Sequence, residues 1–450
     1  MTRRLRLSRP PLPLTGGLTL LLIVLPALAL LRWPRPRAQG LEQLMAAASL
    51  LQSFSVTPDR APPELWRQRL GLPLALQVWR QQRRIWWQFW GVHAEVPPYL
   101  ALPAAALPGQ GRFALPANAL KVGNLVVLAP DPLARQLLRD RLRPLQRRSR
   151  GLERRCLQRL ETDQAAFWNP SALGVILGPL SPLLQRYHEG CFSLSLQGAE
   201  LSWSGEASAI DGLLAAPPQP AQPLPAALRE PLPRELLLEL QGGSLDLLLQ
   251  GLVSRELIRD PLASRYGLDG PRLARLRRMP FRLRLHPLAK GPFQASLELQ
   301  LPIEGSPRFW DPVLQKLIVE LRQQQLTPLA PAGVADATLI RVGSSWKRSD
   351  GTVVGGWRWL AGADPQLVLF LGPLPPGPSP LVRSSLPAPG SLWLRSQPLL
   401  LASAGLIPAE MPEVVRRSSQ LWLAADAAAG SRASPPQPLS RLMGWLRLAR

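Results

Sequence analysis

Phe281-Arg282-Leu283-Arg284-Leu285 and, a little further on, Leu297-Glu298-Leu299-Gln300-Leu301 alternate apolar with polar side chains. Successive side chains of an extended chain point to opposite faces, so each stretch reads as a strand with one apolar face. The same signal recurs on both sides. Downstream, Asp311-Pro312 opens an amphipathic helix carrying Val313, Leu314, Leu317, Ile318 and Leu321. Strand-like runs follow at 337–346, 352–360 and 366–371, with Ser349-Asp350-Gly351 as the turn between the first two. Strands at 391–395 and 420–424 flank a helix near 399–405, and a last strand covers 445–448.

Upstream, Ser244 caps a helix running to Ile258, and residues 192–207 alternate around a Gln197-Gly198 turn. A strand over 124–129 runs into Asp131, which caps a helix that Pro132 opens; Leu133, Leu137, Leu138, Leu142 and Leu145 form its apolar stripe. A second helix spans 152–160. Residues 72–92 read as a hairpin, with Leu74, Leu76 and Val78 on one arm, Ile85, Trp87 and Phe89 on the other, and the turn at 80–84. A short helical stretch occupies 38–57.

The N-terminus has its own character. Arg3, Arg4, Arg6 and Arg9 precede a run without charge to Leu31, and residues 14–31 as a helix would measure about 27 Å, close to the thickness of a bilayer core. The flanking arginines favour a cytoplasmic N-terminus and an extracytoplasmic bulk, periplasmic in a bacterial envelope. The alternative is an export signal cleaved near Ala29. These observations imply a single-pass α+β protein: residues 1–37 as basic N-terminus and transmembrane helix, then two antiparallel-sheet/helix units over 38–215 and 235–450. A Pro-rich linker over 216–234 separates the units, and Pro/Gly-rich insertions near 373–390 and 430–439 interrupt the second.

Short echoes suggest that the two units are duplicates. The hairpin at 72–92, Leu125-Val126-Val127-Leu128 and Asp131-Pro132-Leu133 resemble the hairpin ending Trp357-Arg358-Trp359, Leu392-Trp393-Leu394 and Gln397-Pro398-Leu399. Gly190-Cys191-Phe192 resembles Gly291-Pro292-Phe293. An anchor followed by such units resembles an uncharacterised family of single-span, membrane-anchored bacterial envelope proteins of the cyanobacterial type, known only as a domain of unknown function. The resemblance implies fold and location and brings no catalytic residues with it.

The chain of 450 residues carries a net charge of +23, and all but four of its 53 basic residues are arginine. Arginine, proline, alanine and leucine are abundant together, as GC-rich coding produces, so the charge is not read as a nucleic-acid signal. The densest basic stretch includes Arg135, Arg139, Arg143, Arg147, Arg150 and Arg154 beside helically spaced leucines. It fits either contact with anionic lipid or an acidic partner protein, or a solvated helix face. A smaller cluster, Arg272 to Arg284, is read as solvated surface. Trp79, Trp86, Trp87 and Trp90, interleaved with arginine, fit either an aromatic platform or a strand covered on both faces.

Cys156 and Cys191 are compatible with one disulfide or with two buried thiols. His188 with these cysteines falls short of a structural zinc set, which needs about four convergent ligands. The G-x-S-x-G elbow and the phosphate loop G-x-x-x-x-G-K-[ST] are absent from the sequence, and its acidic residues are scattered. The expectation is a membrane-anchored scaffold, assembly or binding protein without catalytic activity, cofactor or nucleic-acid partner. Its lipid contact would run through residues 14–31, and an envelope enzyme acting on lipid or cell-wall glycan is the alternative.

Overall fold

The computed structural model describes residues 38–83, 85–91, 97–107, 116–143, 149, 151–169, 172, 187–209, 230–253, 256–289, 291–329, 335–361, 364–374, 380–382, 386–407, 411, 413–427 and 439–449. Helix α1 (Leu41–Ala47) leads into β1 (Leu50–Phe54). Next come α2 (Glu64–Leu70), α3 (Leu72–Gln81), β2 (Trp86–Trp90) and β3 (Tyr99–Pro103). The hairpin β4 (Ala119–Val122) and β5 (Leu125–Leu128) precedes α4 (Pro132–Leu142), α5 (Leu152–Thr162) and β6 (Ala165–Trp168). Two long strands follow, β7 (Tyr187–Gln197) and β8 (Glu200–Ala209).

Then come β9 (Leu238–Gly242), α6 (Asp246–Val253), α7 (Glu256–Tyr266), α8 (Gly270–Arg278), β10 (Phe281–Pro287) and β11 (Ala295–Pro302). They are followed by α9 (Asp311–Gln323), β12 (Thr327–Pro328), α10 (Asp336–Val342), β13 (Gly343–Lys347), β14 (Val353–Leu360) and β15 (Gln366–Leu371). The last elements are β16 (Leu392–Ser396), α11 (Pro398–Ser403), α12 (Glu413–Arg416), β17 (Ser418–Ala427) and β18 (Leu439–Leu448).

Among the described residues all the strands hydrogen-bond into one 18-stranded antiparallel sheet. Its order is β4-β5-β3-β2-β1-β6-β7-β8-β18-β17-β16-β9-β10-β11-β15-β14-β13-β12. This corrects the expected fold of an anchor plus two separate antiparallel-sheet/helix units. The segment 14–31 lies outside the described residues. Among the described residues no helix is long and apolar enough to cross a membrane, and the longest, α9, has 13 residues. The single-pass assignment, and the extracytoplasmic location that rested on it, are not supported.

The strand order itself repeats. The run β4-β5-β3-β2-β1-β6-β7-β8 has the connectivity of β14-β15-β11-β10-β9-β16-β17-β18, and in the second half β13 and β12 are added outside β14. The registers repeat too. Leu51 stands between Phe89 and Phe167, as Glu239 stands between Arg284 and Arg395. After β6, the Asn169 side-chain amide donates to the Ala48 carbonyl at 3.0 Å; after β16, that of Gln397 donates to the Leu236 carbonyl at 2.7 Å. Their backbone N–H groups bond Ser49 and Leu237 in the same way. The counterpart of Gln397 is therefore Asn169 and not Asp131, so the echoes noted in the sequence pair the wrong segments. The halves meet where β8 pairs with β18, with Ser204 opposite Met443.

Both sheet faces are packed in the first half. On one, Trp66 of α2 and Ala75, Val78 and Trp79 of α3 cover Trp86, Leu100, Leu102 and Leu128. On the other, Leu44 of α1, Leu138 of α4 and Leu160 of α5 cover Leu51, Trp87, Phe89, Val127 and Phe167. In the second half, Leu314 and Ile318 of α9 and Leu339 and Ile340 of α10 join Phe281, Leu301, Trp346 and Trp357.

Two segments expected to be strands are helices. Residues 72–81 alternate, but Ala75, Val78 and Trp79 also fall at helical spacing and are the residues buried; Gly71 with φ 74° and Pro73 in the first turn set the helix start. In the run 337–346, residues up to Val342 form α10, which ends at Gly343 with φ 101°. The rest of that run is β13.

Candidate functional site

Of the residues singled out in the sequence, Trp79, Trp86, Trp87, Cys156 and Cys191 are buried in the first half's core. Arg135 is half-buried, and Arg139, Arg143 and Arg154 are exposed on α4, its end and α5. The apolar sides of these helices lie on the sheet. Arg143 pairs with Asp140 at 3.5 Å. Arg147 and Arg150 lie outside the described residues. The tryptophans form no single platform: Trp79 and Trp86 are buried on one side of the sheet and Trp87 on the other, while Trp90 is half-buried. Trp79 Nε1 donates to the Arg60 carbonyl at 2.8 Å and Trp87 Nε1 to that of Leu160 at 2.9 Å. Cys156 and Cys191 form a disulfide that ties α5 to β7 with Cα atoms 5.6 Å apart, so neither thiol is free to bind metal.

The second half holds two features that have no counterpart at the matched positions of the first among the described residues. One is a cleft of about 480 Å³ between α9 and the sheet. Leu317 and Leu321 of α9 form one wall. Leu297, Leu299, Leu369 and Leu371 form the other, and Trp346, Val354, Gly355, Gly356, Trp357 and Phe370 complete the lining. No charged side chain is among these residues. Gly355 and Gly356 keep β14 thin here, since a Cβ at either would run into backbone of a neighbouring strand. The corresponding surface of the first half, built from Leu100, Leu102 and Leu128, is filled by the Trp66 cluster. The cleft is thus a property of the second half and not of the repeated strand order.

The other feature is a charged row on the opposite face. Along it stand Arg395, Glu239, Arg284 and Glu298 on adjacent strands, with Arg282 one pleat away. Glu239 accepts from Arg284 Nε at 3.1 Å and from Arg395 Nη2, and lies 3.7 Å from Arg282 Nε. Burial pushes the Glu239 carboxyl pKa upward, but Arg395, Arg284 and Arg282 together outweigh it and hold the pKa below the usual carboxylate value. Burial, and then the like charge of Arg284, bring Arg282 down to about 10. His286 Nε2 lies 3.3 Å from Glu298, and Gln300 donates to Gln366 at 2.6 Å. Gln366 in turn exchanges two hydrogen bonds with the backbone of Leu381.

The sequence signals both features only faintly. Leu317 and Leu321 read as ordinary core positions, and Arg282 and Arg284 as solvated surface. The opposition of Arg284 to Glu298 depends on a register that the sequence does not display. Comparison with protein-family models, curated proteins and solved structures found no match for this chain.

Proposed function

We propose that the protein is a binding protein without catalytic activity, and that it holds an apolar, chain-like ligand in the cleft between α9 and the sheet. The single observation that carries this reading is the cleft itself. Its volume falls within the range of roughly 300–1,000 Å³ typical of ligand sites. Its lining is leucine, tryptophan, valine, phenylalanine and glycine. Such a surface rewards apolar chains, since each methylene removed from water contributes about 0.8 kcal/mol. It presents no acid, base or nucleophile, so an enzyme acting on lipid or glycan finds no support in these residues. The test is titration of the full chain with a fluorescent long-chain fatty acid, alongside a variant in which Leu317→Trp fills the cleft. Saturable binding lost in the variant supports the reading.

A further inference from the structure

The two halves use one strand plan, so each serves as a control for the other. Phe167 and Arg395 hold matched places, and they stand opposite Cys191 and Trp422. Cys191 in turn stands opposite Glu206, and Trp422 opposite Trp445. The neighbouring glycines match as well: a Cβ at Gly205 would meet the Cys191 carbonyl oxygen, and one at Gly444 that of Trp422. In the first half helix α5 is fixed on these positions. Cys191 is bonded to Cys156, its carbonyl accepts from Arg159 Nη1 at 3.3 Å, and Glu206 accepts from Arg155 Nε at 2.8 Å. In the second half Trp422 and Trp445 take the places of these two anchors. The connection from β15 to β16 contains no helix among the described residues, where that from β5 to β6 holds α4 and α5.

The two indoles line a pocket of about 390 Å³ at the seam. Trp445 stands opposite Trp422 on one side and Ser202 on the other, and Arg447 stands opposite Glu200. These five side chains therefore project from one face, across β17, β18 and β8. Met443 adds to the apolar part of the lining. Trp445 and Met443 are half-buried, so part of each stays open to solvent. Glu200 and Arg447 are the more exposed part, with 44% and 51% of their side chains accessible, and they pair at 3.4 Å. The Arg447 guanidinium carbon lies 5.3 Å from the centroid of the Trp445 ring, which holds it beside the indole. Glu200 and Arg447 also line a second pocket of about 580 Å³, together with Gln197 and Ser419, so the two pockets adjoin.

This lining discriminates among ligand classes. Its paired charges cancel: Glu200 opposes an anion and Arg447 opposes a cation. A hydrocarbon chain would strip water from that pair and return no hydrogen bond. A sugar ring meets both demands. Its C–H face covers an indole, and its hydroxyl groups, each both donor and acceptor, serve a carboxylate and a guanidinium at once. We infer that the Trp422–Trp445 surface at the seam is a site for a neutral saccharide, with the adjoining pocket taking a further ring of an oligosaccharide. This site lies on the opposite face of the sheet from the apolar cleft and stands independently of it.

The test is a screen of the labelled full chain against an array of neutral and acidic oligosaccharides, followed by calorimetric titration with the strongest neutral binder. Saturable binding of a neutral oligosaccharide is expected. Trp445→Ala and Glu200→Ala are each expected to weaken it about tenfold or more. Glu200→Ala changes a side chain outside the core, so it keeps the test open if Trp445→Ala does not fold. Leu317→Trp, which fills the cleft on the other face, is expected to leave saccharide binding unchanged. If no neutral oligosaccharide binds, if only acidic ones do, or if binding survives at full strength in folded Trp445→Ala or Glu200→Ala, the inference is wrong.

Discussion

The indole of Trp203 lies against Gly444 across the seam where β8 meets β18, and a Cβ at 444 would collide with that ring and with the Trp422 carbonyl oxygen. The seam joins the two halves of the sheet, so this contact sits where equivalent strands of the repeated plan pair. Gly444→Ala forces overpacking against the half-buried Trp203 ring and against the backbone carbonyl of Trp422, which is fixed in the sheet. A loss of about 1–3 kcal/mol is expected, measured as a lower denaturant midpoint with unchanged slope. A neutral outcome would mean that the seam is looser than described.

The Cys156–Cys191 bond closes a segment with a sequence separation of 35 and staples α5 to the sheet. Removing such a cross-link typically costs about 2–4 kcal/mol. The double variant Cys156→Ala, Cys191→Ala should show this loss in urea unfolding. Adding reductant should lower the stability of the native chain and leave the variant unchanged.

Glu239 makes stability depend on pH. Its carboxyl pKa is lower in the folded chain than in the unfolded one. The stabilisation is therefore present above the ordinary carboxylate range, at about pH 4–5, and is lost as pH falls through the folded value. One such proton contributes a slope of at most about 1.4 kcal/mol per pH unit. Glu239→Gln removes this part of the slope and leaves three arginines without their carboxylate, at an expected cost of about 3–5 kcal/mol at pH 7. Denaturant titrations from pH 3 to pH 7 on both proteins check the sign and the size.

Asp131 caps α4 by accepting from the Ala134 N–H at 2.8 Å. Asp131→Ala should cost about 1 kcal/mol and leave the rest of the sheet intact. Equal stability of the two proteins would show that α4 is held by packing alone.

What the sequence revealed and what it hid follow from the range of the interactions. Asp131 and Pro132 act within one turn, so the start of α4 is readable, and the alternation of 281–301 gives β10 and β11 directly. The segment 72–81 satisfies two periods at once, and the choice between them is made by Gly71 and by the buried face of Trp79 against Trp66, a tertiary contact. The repeat escaped correct alignment because its best markers, Asn169 and Gln397, are single residues whose equivalence shows only through their bonds to Ala48 and Leu236. Alternation at Arg282 and Arg284 looks the same whether the second face is wet or covered. Only the cross-strand neighbours Glu239 and Glu298 reveal a buried network.

The central claim is that the space between α9 and the sheet is a ligand site. The direct measurement is equilibrium titration of the full chain with a fluorescent long-chain fatty acid, run in parallel on Leu317→Trp, with unfolding curves confirming that both are folded. The account predicts saturable binding at one site per chain and loss of at least tenfold in affinity in Leu317→Trp. No saturable binding to the native chain, or equal binding by both proteins, would contradict it.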